Sequence, residues 1–528
     1  MLVPSIRKRL KLEALIHGIL LILSLTLFEK TPLAQMLTLS VEGTKQPADA
    51  NQRIWSNNLR QLSGQSCASV KRVALGESKV TTPAAYVWNG IANLKSTLKK
   101  WISVGGVLSI AIQLQYQIVR LISGIVLARA VGPAELGLYS FGMSFITIIQ
   151  IIPAYGLDGA IIRFSGQYVA NNSWELLRGL WRTGILVSIA YGILTAAAAV
   201  EIFSSIHIAR IGAFSPKILQ ASAIVLLCMP VVFSLGAVLR AAQPGVIGQL
   251  PQLLLQPWLY LLCMLIALMF ERQLLDAEFA IWLQGVAAAL TVAIALVLVR
   301  KYVPDPVVHV SSRVETATWM RSAFFFLLLG GLSLINTQTD VIMLGILSTA
   351  RETGIYRVAS NGGNMVSLSS AALIMYLGPK ISRMYASGEH ERLQRMMISG
   401  ARFGFIVSFL VAATFMLFGE WILSIVFGTA YVAAFYPLVI LCLGQLVSIG
   451  IGMGALLLSM TGYERETAAA TALAAVGNIL LNAVLIPMFG AVGSAVATAS
   501  TLILWRVMLA VLAKRKTGIS VVMTASLR

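Results

Sequence analysis

The chain has 528 residues, 58% hydrophobic and 12% charged, and its 40 Lys and Arg against 21 Asp and Glu leave a net charge of +19. With a mean hydropathy of +0.82 it is excluded as an ordinary soluble enzyme, because soluble domains carry about twice that share of charge and split before a core grows this large. Disorder is excluded for most of the length, and the basic excess reads as the Lys and Arg of cytoplasmic loops rather than as a nucleic-acid footprint.

The first hundred residues stand apart. They hold 14 basic and 5 acidic residues, and Arg7, Lys8, Arg9 and Lys11 precede a short apolar segment from Ala14 to Phe28. That arrangement resembles a signal peptide or weak anchor. If it crossed the membrane, every later loop would take the wrong sign. It is therefore expected to lie along the membrane surface, or translation starts downstream. Residues 1–100 form a polar, poorly ordered or interfacial extension.

A spanning helix needs about 20 mostly apolar residues. Twelve such runs follow, at 102–127, 136–161, 179–200, 218–240, 247–270, 277–299, 322–347, 354–378, 399–426, 432–460, 467–487 and 489–513. The connections after even-numbered runs, with the tail, carry 18 basic residues, and the opposite loops carry five: Arg129, Arg210, Lys217, Arg272 and Arg351. The positive-inside rule puts both ends of this body in the cytoplasm. Residues 124–139 (GIVLARAVGPAELGLY) and 341–356 (VIMLGILSTARETGIY) match in position and sidedness. The reading is an all-α membrane protein, two six-helix lobes related by a parallel pseudo-repeat around a central cavity. The lobes are 101–300 and 321–515, joined by a cytoplasmic linker at 301–320 and followed by a cytoplasmic tail at 516–528.

Polar groups at membrane depth are costly and usually face a cavity or a partner. In the first run Gln113, Tyr116 and Arg120 share one helix face. Asp340 lies in the seventh run, Arg357 near the outer end of the eighth beside Asn361 and Asn364, and Asp158 and Arg163 at the inner end of the second. Each has a plainer reading: Arg163 and Arg506 snorkel to the interface, and Asp340 pairs with an Arg or a backbone amide. Cys67, Cys228, Cys263 and Cys442 and the four histidines form no metal or redox motif, and Gly450, Gly452 and Gly454 read as helix packing.

Segments 127–145 (LARAVGPAELGLYSFGMSF), 156–169 (GLDGAIIRFSGQYV), 340–360, 427–444 and 477–499 resemble, in order, those of the Wzx-type polysaccharide-export flippases. The resemblance covers about 101–515. It implies the fold shared with multidrug extruders and lipid II flippases, in the bacterial cytoplasmic membrane. It also implies movement of a polyprenyl-diphosphate-linked oligosaccharide from the inner to the outer leaflet, with no enzymatic step. Arg120, Arg163 and Arg357, with Gln113 and Tyr116, are the implied substrate residues. Asp340 and Asp158 are the implied coupling or structural ion-pair residues. No cofactor or metal is expected, with proton or sodium coupling left open. A polysaccharide polymerase and glycosyltransferases are the implied protein partners. The alternative is a cation-coupled multidrug extruder of the same fold. A membrane polymerase or ligase is disfavoured by short outer loops, the longest at about 201–217.

Overall fold

A computed structural model of the chain describes residues 104–205, 216–243, 246–270 and 275–525. The extension 1–100 with its segment Ala14–Phe28, and most of the loop expected at 201–217, lie outside the described residues. Every described residue belongs to the unit Ile91–Arg528.

The described residues are all-α. In chain order the helices are α1 (Val104–Ile149), α2 (Asp158–Ala170), α3 (Trp174–Ser205), α4 (Pro216–Ala242), α5 (Val246–Gln249), α6 (Gln256–Phe270), α7 (Ala277–Tyr302) and α8 (Asp305–His309). They continue as α9 (Thr316–Leu347), α10 (Ala350–Val366), α11 (Leu368–Ala386), α12 (His390–Val426), α13 (Phe435–Ile451), α14 (Gly454–Met460) and α15 (Glu464–Thr517). The starts obey local chemistry: the Asp276 carboxylate accepts from Phe279 N at 2.8 Å and caps α7. The end of α15 carries Lys514, Arg515 and Lys516, followed by Gly518 in the left-handed region.

Among the described residues, eight helical segments are long and apolar enough to cross a bilayer. The sequence divides the same stretch into twelve runs, and the difference has two causes. α1 and α15 each consist of two helical arms joined directly at a kinked glycine with non-helical angles, Gly132 (φ 80°) and Gly490 (φ 55°). In α15 the two arms return side by side: Asn478 Nδ2 donates to Thr501 Oγ1 at 3.4 Å, and Trp505 Nε1 to Thr471 Oγ1 at 3.2 Å. The other cause lies in the seventh and eighth runs: among the described residues α9 offers only the shorter apolar part Leu334–Leu347, and the eighth run is divided between α10 and α11.

Two π-helical turns, Ile152–Leu157 and Leu250–Leu255, each hold a proline at their second residue. Pro153 and Pro251 thus shift the hydrogen-bond register without breaking the helix.

The repeat visible in the sequence has a structural counterpart. Glu135 Oε2 accepts from Ala277 N at 3.0 Å, and Glu352 Oε2 accepts from Ala491 N at 2.8 Å. Both glutamates occupy the same position of the repeated segment, and each caps the helical arm that closes its own half. The two copies also touch one another. A Cβ on Gly137 would lie 1.7 Å from Ala350 O, and one on Gly354 would lie 1.9 Å from Pro133 O. Glycine is required at both places because backbone meets backbone there. The contact is reciprocal, as a two-fold axis demands.

α9 joins the halves. Its first part packs on the N-terminal half: a Cβ on Gly159 would meet the Phe326 ring at 2.7 Å, and Trp319 Nε1 donates to Tyr168 Oη at 2.9 Å. Its last part packs on α10 and α15. The preceding linker lies on α3, where Arg313 N donates to Glu175 O at 3.1 Å and Arg178 bonds Val310 O. The stretch after α15 is not loose up to residue 525. Ile519 and Val521 are buried, Met523 N donates to Gly450 O at 3.1 Å, and Arg402 Nε donates to Met523 O at 2.9 Å.

Candidate functional site

α1 and α10 lie against one another where Gly124 meets Asn361, with a glycine Cβ falling 3.9 Å from the Asn361 amide nitrogen. One turn before Gly124 on that face is Arg120. Its Nη1 donates to Tyr116 Oη at 3.3 Å, and its guanidinium sits 5.4 Å from the Tyr116 ring centre. Gln113, a turn or two earlier, is exposed. One turn before Asn361 on α10 is Arg357. α1 and α10 run antiparallel here, since Gly124 meets Asn361 and Pro133 meets Gly354, so Arg120 and Arg357 stand one turn to either side of the contact. Among the described residues the ion pairs are Arg240–Asp158, Arg392–Glu389 and Lys516–Glu466. Among the described residues neither Arg120 nor Arg357 is in an ion pair. Two guanidiniums along one helix seam without an acid are a place where an anion is favoured.

The other residues singled out in the sequence lie elsewhere. Arg163 is exposed, with Nη1 3.4 Å from Ser322 Oγ and its guanidinium over the Phe164 ring. Asp158 is half of a structural pair: Arg240 Nη2 reaches Asp158 Oδ2 at 2.7 Å, and Arg240 Nη1 donates to Gln252 Oε1 at 2.6 Å. Arg506, expected to snorkel, instead turns inward, where Nε donates to Ser448 Oγ at 2.9 Å and the guanidinium lies over Trp505. An open cavity of about 430 Å³ between α11 and α12, lined by Lys380, Arg383 and Arg392, contains none of these residues.

Asp340 is buried and, among the described residues, meets no cation. Tyr356 Oη donates to Oδ2 at 2.8 Å, Thr498 Oγ1 to Oδ2 at 2.7 Å, and Asn482 Nδ2 to Oδ1 at 2.9 Å. Asn482 Nδ2 also reaches Asn478 O at 3.0 Å. The expected Arg partner is absent from this cluster, whose three neutral donors crowd one carboxylate. Tyr356 was visible in the sequence as the end of the repeated Gly-x-Tyr. Asn478, Asn482 and Thr498 were not singled out, because neutral residues in an apolar run give no charge signal and lie far along the chain.

The bundle, its internal two-fold relation and its intramembrane charges define a multi-pass membrane protein with the fold of flippases and multidrug transporters. Solved structures agree on that fold. A lipid II flippase, MurJ, in an inward closed conformation matches with TM-score 0.60 at 13% identity, over 77% of this chain and 87% of that one. An inward-facing multidrug resistance MATE family transporter matches with TM-score 0.62 at 13% identity, over 78% and 98%. A transporter of the same superfamily from Pyrococcus furiosus, described as having a binding pocket of reverse polarity, matches with TM-score 0.52 at 12% identity, over 79% and 94%.

Residues 103–385, more than half of the chain, match the model of the polysaccharide biosynthesis protein family, and the chain belongs to that family. A probable low-salt glycan biosynthesis flippase, Agl15 of Haloferax volcanii, is 30% identical over 163 residues, which is 30% of this chain. The match spans 34% of that relative's length.

Proposed function

We propose that this protein carries a polyprenyl-diphosphate-linked oligosaccharide from the inner to the outer leaflet of a bacterial cytoplasmic membrane, by alternating access of its two halves. The observation that carries the reading is the placing of Arg120 and Arg357 along the α1–α10 seam, neither of them in an ion pair among the described residues. A guanidinium presents a planar fork that fits phosphate oxygens bidentately, and the diphosphate brings the negative charge that this pair lacks. Tyr116 and Gln113 extend the site along α1, the polyprenyl tail stays in the bilayer, and Arg163 serves at the basic end. Family membership and the printed name of the Haloferax relative support the same assignment. Both ends of the helical body face the cytoplasm; glycosyltransferase partners would act on that side before flipping, and a polymerase on the outer side after it.

Asp340 takes the coupling role in this scheme. A buried carboxylate surrounded by Tyr356, Thr498 and Asn482 is costly unless a proton or a cation neutralises it. The test uses a deletion strain complemented in trans. Arg120→Ala or Arg357→Ala should lower surface polysaccharide at least tenfold while the membrane content of the protein stays constant. Normal polymer levels in both variants would sink the reading.

A cation-coupled multidrug extruder of the same fold is the second reading, favoured by Asp340 and by the MATE likeness. It is weakened by two guanidiniums that repel cationic drugs. Altered drug susceptibility on deletion, lost again with Asp340→Asn and with polysaccharide intact, would favour it.

A further inference from the structure

The N-terminal half contains polar atoms that the foregoing leaves unused. Gln256 Nε2 and Gln284 Oε1 are buried and have no hydrogen-bond partner among the described residues, and the buried Tyr260 hydroxyl is shared with that of Tyr139. The Gln256, Tyr260 and Gln284 side chains are 8%, 6% and 9% exposed. Each orphan of this kind costs about 1–3 kcal/mol, and folded proteins keep few of them.

Their positions converge. Gln256 and Tyr260 stand one turn apart on α6 and share a face. Tyr139 packs on the cluster that holds Tyr260 together with Val119, Val358 and Leu283, the chain neighbours of Arg120, Arg357 and Gln284. Gln284 is placed by the internal repeat. Tyr139 corresponds to Tyr356, and the capped residues Ala277 and Ala491 bring Gln284 into correspondence with Thr498. Thr498 Oγ1 is 3.2 Å from Tyr356 Oη, and in the N-terminal half Leu283, beside Gln284, lies in the cluster on which Tyr139 packs. The two copies differ in charge. The counterpart of Asp340 is Ser123, whose hydroxyl is already bonded to Val119 O at 2.8 Å. The C-terminal copy is thus centred on a hydrogen-bonded carboxylate, whereas the N-terminal copy is neutral.

Amide and phenol groups supply both donors and acceptors without charge, which suits hydroxyl and acetamido groups. A polyprenyl diphosphate bears its first sugar directly on the diphosphate, within one ring's length of any site that grips the phosphates. We infer that Gln256, Tyr260 and Gln284, with Tyr139, form a neutral subsite for the saccharide unit adjoining the diphosphate. The inference rests on the assignment of the Arg120–Arg357 pair to that diphosphate. The subsite reads the sugar, and the arginines read the charge.

The test uses the full chain in lipid nanodiscs with two kinds of probe: undecaprenyl diphosphate alone, and the same lipid bearing one N-acetylglucosamine, galactose or glucose. At least one sugar-bearing lipid should bind about tenfold tighter than the bare lipid, the sum of a few neutral hydrogen bonds. Gln284→Met, Gln256→Met and Tyr260→Phe should bring that ratio toward one, with bare-lipid affinity unchanged. Because the two glutamine changes remove orphaned polar atoms, the melting temperature of those variants should hold or rise. Arg120→Ala should weaken both probes together. Equal affinity for all probes in the wild type, or ratios unmoved by the three variants, would overturn the subsite while leaving the anion assignment intact. Loss of all binding with a fall of several degrees in melting temperature would make these residues structural and also overturn it. If Arg120→Ala weakens neither probe, the anion assignment itself fails, and the inference with it.

Discussion

Asp158 and Arg240 stand 2.7 Å apart at Oδ2 and Nη2, both about four-fifths covered. Removing one member of a covered pair leaves the other charge stranded, which costs more than the pair gains by forming. Asp158→Asn is therefore expected to destabilise the protein by about 2 kcal/mol, less than the 3–5 of a fully dry pair. The double change Asp158→Leu with Arg240→Met should recover most of that loss in thermal unfolding. A double variant no more stable than the single one would show that the two charges do not hold each other. Arg120 and Asp340 were legible as isolated charges in apolar runs, since charge at membrane depth has few innocent explanations. Their surroundings were not legible. Asn482 and Thr498 reach Asp340 from 142 and 158 residues away, and no spacing rule links such positions. Gln256 and Gln284 passed unnoticed because an uncharged amide in an apolar run barely alters hydropathy, although its burial costs as much as many visible features.

At the scale of the element, hydropathy senses how apolar a run is and not which way it travels. Gly490 turns the path of α15 with no polar loop to mark it, so the twelve sequence runs and the eight long apolar segments describe one stretch differently. The repeat at 124–139 and 341–356 was legible because both copies must make the same turn. Its glutamates, though part of the match, carried no signal of what they cap. Glu352 Oε2 accepts from Ala491 N and would lie 2.7 Å from any Cβ at residue 490. Two effects therefore meet at this turn. Glu352→Ala should cost about 1 kcal/mol as a lost cap. Gly490→Ala should cost more, because a positive φ and a close oxygen both oppose the methyl. Thermal unfolding of the two variants checks the order, and an equal or smaller loss for Gly490→Ala would contradict it.

At the scale of the whole molecule, the two halves touch at separate places, and alternating access requires that such contacts break in turn. One lies where α9 crosses onto α2, through Gly159 and Phe326. The other lies where the repeated segments meet, through Gly137 and Gly354, and is reinforced by Tyr431 Oη donating to Ala128 O at 3.0 Å. A methyl at Gly354 would fall 1.9 Å from Pro133 O and 3.0 Å from Gly137 N. Both are backbone atoms of a helix start, so neither can swing aside as a flexible side chain would. Overpacking of this kind costs about 1–3 kcal/mol, and separating the halves at this seam relieves it. Gly354→Ala is thus expected to hold the seam open. A cysteine introduced at Leu136, which is buried beside Gly137, should react severalfold faster with a membrane-impermeant maleimide, and glycan export should fall while the protein remains folded. Gly166→Ala serves as the control, because nothing lies within 4 Å of a Cβ there, and it should leave labelling and export unchanged. Unaltered labelling in a folded Gly354→Ala protein would mean that this glycine contact is not one of the surfaces that part during transport.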